Sequence, residues 1–549
     1  MTGNMDEKAD IVVSSNAVYI GTGDKARPGA IAIAGNRIIA VGSMEEIEGL
    51  ISPHTQVYSY GDQLIMPGFH DFHLHVLPGS LHYASVNLLQ ATSEEEAAEM
   101  VKAFADTRPD DPWILGFSWY HTFWTNNKLP HRSTLDRLIP DRPVYLLSAE
   151  GHAAWVNSKA LEMINVTSET ADPPYGEIHR DADGEPTGIL FETATALAQE
   201  AFQLPHARKE SLYCGFFEQA VKLGVTSISD FFPVPGYEIG DLDMYREMEA
   251  KGQLTTRIHF LVTLDGDLER PRRLREACTS GKLKFSGLKQ FLDGVPATYT
   301  AFLVDPYSDR PDTRGETLID PDKVKEWVIE ADKEGFRIRL HACGDGAVRL
   351  GLDCYESASR INGTRDSRHT IEHIEVIHPD DIGRFAQLGV IASMQPEHMA
   401  LTQEFVENPY LARLGQEREP YTWPIKTLMD SGAQVGFGSD YPVVHINPML
   451  EIYRAVTRIH NDGQPEEGWN PKERITIAEA LQAYTYSPAY GVFREQELGT
   501  LEVGKLADLI ILDRNLLDVP ADMIRDTKVL LTMIDGEIVY QEELQAVDS

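Results

Sequence analysis

Along the middle of the chain, short continuous apolar runs alternate with longer stretches in which apolar residues recur at helical spacing. The runs are PVYLLSAEG, GVTSISDFF, RIHFLVTL, LKFSGLKQFLDG, FRIRLHACGDG, RHTIEHIEV, GVIASMQPEH and AQVGFGSDYP, all between Pro67 and about residue 490. Continuous apolar runs mark strands buried on both faces, and strands separated by helices of about 10 to 15 residues build parallel sheets from βα units. Roughly eight such units over about 420 residues predict a distorted, TIM-like (β/α)8 barrel of an α/β protein rather than an open doubly wound sheet. No GxGxxG motif follows the first strand.

Both ends of the chain carry a different pattern. AIAIAGNRIIAV holds two β-rich runs around Gly35-Asn36, and VLLTMIDGEIVY repeats the arrangement around Asp535-Gly536. Each reads as a hairpin with a tight turn. An isolated hairpin is marginal in water, so the two termini are expected to pair into one small β-sandwich domain. The predicted division is residues 1–67 and 491–549 for that domain and 68–490 for the barrel.

Composition narrows the function classes. A chain of 549 residues with 42% hydrophobic and 24% charged residues buries a large core. The net charge of −36 repels polyanions, which makes nucleic acid an unfavourable partner. No run reaches the roughly 18 apolar residues of a membrane span, and the polar start MTGNMDEKAD lacks a signal-peptide core, so the expected location is the cytoplasm, away from membranes. Cys214, Cys278, Cys343 and Cys354 show no CxxC spacing and are expected as free thiols. A small-molecule substrate is the expected partner, and a homo-oligomer stays open.

The candidate chemistry begins at GFHDFHLHV, residues 68–76. On a strand, side chains alternate, so His73 and His75 share a face while His70 lies on the opposite one. Two imidazoles on one face can hold one divalent cation, but a catalytic zinc site takes three protein ligands and a water. In a chain this rich in histidine, an HxH pair also arises readily by chance. Further candidates stand where other runs end, which in a barrel is where the chemistry sits. His341 ends FRIRLHACGDG, His373 ends RHTIEH four residues after His369, and Asp440 ends AQVGFGSD. Each alone has a bland reading as a hydrogen-bonded histidine or a helix cap. Together, in the order HxH, His, His, Asp, they point to a metal centre.

With PGFHDFHLH, HAAWVNSKAL, GEIHRDADGEPTGILFE, LKQFLDG, HACGDGAV, IEHIEV, GSDYPV, NPMLEIYRAVTR and LGTLEVGKLADLIILD, the chain resembles the amidohydrolase superfamily over essentially its whole length. The likeness is to the amidohydrolase family 3 branch that contains N-substituted formamide deformylases. It implies one or two divalent metals, zinc being usual, with His73, His75, His341, His373 and Asp440 as ligands. It also implies Lys289 in GLKQFLDG as a ligand, since a lysine carboxylated by CO2 can bridge two ions. Three places depart from the family pattern: Glu150 before Gly151-His152 where Asp is common, Val295-Pro296-Ala297 where small residues are common, and Gly346 where Arg is common. None touches an implied ligand, so the departures bear on substrate.

The implied activity is hydrolysis of a non-peptide carbon–nitrogen bond, in an amide, an N-formyl or N-acyl amine or a carbamate, by metal-activated hydroxide. Asp440 is expected to move the proton, and His152, near the metal by the resemblance, to hydrogen-bond the developing oxyanion. The aromatic stretch Trp119, Tyr120, His121, Phe123 and Trp124 would either pack in a core or wall an apolar substrate pocket. Two other readings remain: a deaminase of an amidine-like or heterocyclic substrate, separable by ammonia release, and a catalytically idle metal-binding scaffold.

Overall fold

A computed structural model describes residues 8–149, 151–400 and 409–542. Glu150 lies outside them, and so does the side chain of Phe123. Eight parallel strands hydrogen-bond in chain order: β1 (Phe69–Leu74), β2 (Val225–Phe231), β3 (Arg257–Thr263), β4 (Leu283–Phe291), β5 (Ile338–Ala342), β6 (Thr370–His373), β7 (Ile391–Met394) and β8 (Val435–Phe437). The ends of β1 and β8 close the ring. Leu74 bridges Tyr441 in parallel, and the Asp440 N–H donates to the His73 carbonyl at 2.6 Å. Every residue of β1, β2, β5, β6, β7 and β8 is buried, the continuous pattern expected of strands covered on both sides.

Seven of the eight runs read from the sequence form barrel strands; PVYLLSAEG does not. Its strand, Val144–Ser148, belongs to a separate six-stranded sheet inserted between β1 and β2. There it pairs in parallel with Ile114–Trp119 and antiparallel with Ala153–Val156, and Pro186–Glu192 and Gly176–Arg180 follow antiparallel. The HxH segment itself supplies the remaining barrel strand. An apolar run reports burial on both faces but not which sheet provides it.

The termini meet as expected. One eight-stranded sheet contains both hairpins, Arg27–Ala34 with Arg37–Gly42 and Val529–Ile534 with Glu537–Gln541. The seam between the chain ends is the antiparallel pair Leu64–Pro67 and Leu509–Leu512, with Leu64 opposite Leu512. At the two turns, Ala507 donates to the Asn36 carbonyl at 2.9 Å and accepts from the Gly536 N–H at 3.1 Å. Arg257, at the start of β3, fixes this sheet to the barrel. Its fully buried guanidinium pairs with Asp508 and Asp535, each at 2.6 Å. Two partners and a carbonyl bond to Gly281 offset the cost of burying that charge.

Candidate active site and metal centre

The HxH strand is placed by its own aspartate. Asp71, buried in β1, accepts from the Ser439 N–H at 3.0 Å and the Ser439 hydroxyl at 2.6 Å, which lays the segment after β8 along β1 and brings Asp440 to His73. Gly438 permits this approach, since a Cβ there would stand 2.2 Å from the His73 backbone nitrogen. The strand ends at Leu74, and His75 is the first non-helical residue before the helix Val76–Tyr83. His73 and His75 still face one side, with ring centroids 5.6 Å apart. His70 stacks instead on His259 at 5.0 Å and takes no part in the wall of the large cavity.

Asp440 collects four imidazoles. Its Oδ1 lies 3.4 Å from His73 Nε2 and 3.4 Å from His75 Nε2, and its Oδ2 lies 3.6 Å from His398 Nε2 and 3.8 Å from His373 Nδ1. These separations exceed normal hydrogen-bond lengths. They match the spacing of about 3.4 Å between ligand atoms each about 2.0 to 2.1 Å from one tetrahedral ion. The His398 Nε2 is buried and has no hydrogen-bond partner. Both His373 (φ 75°) and Asp440 (φ 53°) hold the left-handed conformation, which costs non-glycine residues about 1 to 3 kcal/mol and is concentrated at functional sites.

The ring nitrogens are assigned by what holds the opposite side of each ring. His73 Nδ1 donates to Glu372 Oε2 at 2.7 Å, and His75 Nδ1 donates to the Phe231 carbonyl at 2.8 Å, leaving both Nε2 atoms toward Asp440. Glu372 is in turn gripped by Arg339, at 2.5 Å and 2.9 Å. Phe231 stacks flat on His73, at 3.9 Å and 11°. Burial takes His73 down to about 4 and His341 and His373 well below the usual imidazole range, so all three are neutral, the state a ligand requires. Burial alone would raise Asp440, but the His73, His75 and His398 imidazoles outweigh it and hold its carboxyl well below the usual range.

His341 and Lys289 stand beside this cluster. The His341 ring packs 4.4 Å from that of His373, but its Nε2 donates to the Gly294 carbonyl at 3.2 Å, so a bond from His341 to an ion would use Nδ1. Lys289, in β4, is fully buried with no hydrogen-bond partner for Nζ, which lies 4.8 and 4.9 Å from the centres of the Phe231 and Phe291 rings. Burial lowers its amine to about 8. A second group, Asp293, His341 and Cys343, also has ligand atoms within 4.8 Å of one another. Asp293, however, already accepts the N–H groups of Phe302, Cys343 and Gly344 at 2.9 to 3.0 Å, so its oxygens hold the loop after β5.

His152 follows the inserted sheet's Val144–Ser148 strand. Its Nδ1 donates to Glu192 at 2.8 Å, and it lines the same cavity as His73, His75, His341, His373 and Asp440. That cavity has a volume of about 410 Å³. Of the aromatic stretch, Tyr120 lines it, whereas Trp119 and Trp124 are buried in the core of the inserted sheet. The family departures act here too. Val295 and Ala297 are wall residues, and a Cβ on Gly346 would meet the Leu303 and Phe302 backbone at 2.8 to 2.9 Å, which bars any side chain there. His398, Glu372 and Glu375 were missed from the sequence. His398 had the same signal as the others, a histidine just past an apolar run, but it sits four residues beyond β7 in a short turn.

Imidazoles and a carboxylate converging at the C-terminal mouth of a (β/α)8 barrel define the class of metal-dependent hydrolases built on this fold. A family model described as the amidohydrolase family matches residues 59–540, and the chain belongs to that family. It is 34% identical to Protein LONG AFTER FAR-RED 3 of Arabidopsis thaliana, over 97% of this chain and 92% of that protein. It is 28% identical to the N-substituted formamide deformylase of Arthrobacter pascens, over 93% and 95% of the two chains. An uncharacterized metal-dependent hydrolase from Pyrococcus horikoshii OT3 superposes with a TM-score of 0.75 at 25% identity, covering 93% of this chain and 99% of that one. The protein is therefore a metal-dependent hydrolase of the amidohydrolase family.

Proposed function

We propose that the protein cleaves the carbon–nitrogen bond of a small non-peptide amide, an N-formyl or N-acyl amine or a carbamate. The observation that carries this reading is the Asp440 carboxylate, ringed by His73, His75, His373 and His398 at 3.4 to 3.8 Å and opening into a mostly apolar cavity. The A. pascens deformylase, similar over nearly the whole chain, agrees with it.

In this reading His73, His75, His373 and Asp440 hold a divalent ion, with His341 through Nδ1 and His398 completing the donor set. Lys289 joins them as a carbamate; burial, which lowers its unpartnered amine to about 8, makes the neutral form that adds CO2 more accessible than in a free lysine. Bound there, a divalent ion such as zinc lowers the pKa of water toward about 7 and polarises a carbonyl. The chain's own groups do the rest. Asp440, kept ionised by its imidazole neighbours, accepts the proton of the attacking water at a carboxylate oxygen and returns it to the leaving nitrogen. His152, fixed by Glu192, is placed to donate to the oxygen that becomes negative as the carbonyl is attacked.

The test is a panel of N-formyl, N-acyl and carbamate compounds incubated with metal-replete protein, with the products separated. An amine plus an acid is the expected pair. Ammonia as the sole nitrogen product would replace this reading with deamination, and no turnover in metal-replete protein would favour an idle scaffold.

A further inference from the structure

The cavity's wall shows what kind of amide it can take. Its apolar side comes from three separate parts of the chain: Leu89, Phe117 and Leu147 of the inserted sheet and its approaches, Phe202 before β2, and Val234 and Ile239 after it. Among the described residues, neither lysine nor arginine lines the cavity, although the chain contains 49 of them. The cations nearest in role are already committed. Arg454 is paired with Glu397 at 3.0 and 3.1 Å and with Asn461 at 2.7 Å, and Arg339 is paired with Glu372. Lys289 is fully buried and outside the wall.

The acidic side chains that line the cavity are Asp440 at its floor, Glu375, and Glu397, whose carboxylate is already paired with Arg454. A carboxylate on the body of a substrate would leave water here, face apolar carbon and carboxyl groups, and find no cation. Such desolvation without a partner is among the larger penalties in recognition. The net charge of −36 adds an unfavourable long-range field.

We propose that the site selects amides whose body is uncharged and apolar and excludes those that carry a carboxylate on that body. The inference rests on the amide-hydrolase reading above, and the wall residues Leu147 and Ile239 are its specificity determinants. Neither touches the reacting atoms.

The experiment compares matched ligands on the metal-replete full chain. One pair is the N-formyl and N-acetyl derivatives of 4-methylphenethylamine and 4-carboxyphenethylamine, read as kcat/KM. The other is the uncleavable methanesulfonamides of the same two amines, read as Kd by calorimetry. The methyl member is expected to bind at least about thirtyfold more tightly than the carboxylate member, the ratio a penalty of about 2 kcal/mol produces. Leu147→Arg or Ile239→Lys, placing a cation in the wall, should shrink or invert that ratio; circular dichroism checks that each variant is folded. Equal binding of the two members, or a ratio that neither folded variant changes, overturns the selection by charge. If the sulfonamide ratio holds while neither amide is cleaved, selection by charge stands and the amide-hydrolase reading fails. If both amides are cleaved equally well, the reverse is true.

Discussion

Replacing Glu372 tests how the metal centre is held without touching an implied ligand. Glu372 is fully buried in β6; one oxygen accepts from His73 Nδ1 at 2.7 Å, and Arg339 grips the carboxylate at 2.5 and 2.9 Å. Glu372→Gln keeps the shape but exchanges an anionic acceptor for a neutral amide, so the bond that fixes the tautomer and tilt of His73 weakens. Loss of such an outer partner costs about 10- to 100-fold in metal affinity, or about 1.4 to 2.7 kcal/mol. Glu372→Ala does more. It strands the Arg339 guanidinium, whose Nη1 already lacks a hydrogen-bond partner, and leaving one member of a buried pair uncompensated costs about 3 to 5 kcal/mol. The assays are competition for zinc against a chromogenic chelator and urea unfolding of the metal-free protein. Glu372→Gln should lose zinc affinity with a modest fall in stability, and Glu372→Ala should lose both. Unchanged zinc affinity in a folded Glu372→Gln variant would show that the carboxylate does not orient His73 for a metal.

Asp440→Asn should stay folded and lower kcat by about a hundredfold to ten-thousandfold, the usual contribution of a positioned acid–base group; activity near wild type in steady-state assays would remove Asp440 from proton transfer. Carbon-13-labelled bicarbonate should give wild-type protein a carbamate resonance that Lys289→Ala lacks, and the same spectrum from both would show that Lys289 is not carboxylated. Gly438→Ala should cost about 1 to 3 kcal/mol or more and weaken metal retention, because its Cβ would push on the His73 backbone from 2.2 Å; a thermal scan with and without zinc reads both. The buried pair His70 and His259 carries a pH prediction. Burial first, then nearby arginines and, for His259, the His70 ring, hold both well below the imidazole value of 6.5, so the unfolded chain takes up protons below that pH while the folded one does not. Stability should therefore fall as pH drops through 6.5, by about 1.4 kcal/mol per pH unit for each group. His259→Leu should flatten the slope of urea-measured stability between pH 6 and 5 by about one group's worth, and an unaltered slope would refute the assignment.

The sequence by itself determined most of the elements and singled out candidate site residues. Continuous apolar runs, interrupted at helical spacing, settled the parallel barrel, because strands buried on both faces leave no polar alternation. The two terminal hairpins had to find each other, because neither can bury enough surface alone. His73, His75, His373 and Asp440 stood out because barrel chemistry gathers at strand ends. What the tertiary structure decided is which runs share a sheet and which ring nitrogen faces the centre. Val144–Ser148 has the burial of a barrel strand yet belongs to the inserted sheet, since apolar composition does not encode the pairing partner. His341 turns its Nε2 to the Gly294 carbonyl, and His398, left out of the sequence reading, faces Asp440 from a turn beyond β7. The apolar wall, with no lysine or arginine among its described residues, joins residues from Leu89 to Ile239, distant along the chain, and only the folded arrangement of the inserted sheet and the barrel loops brings them to one cavity.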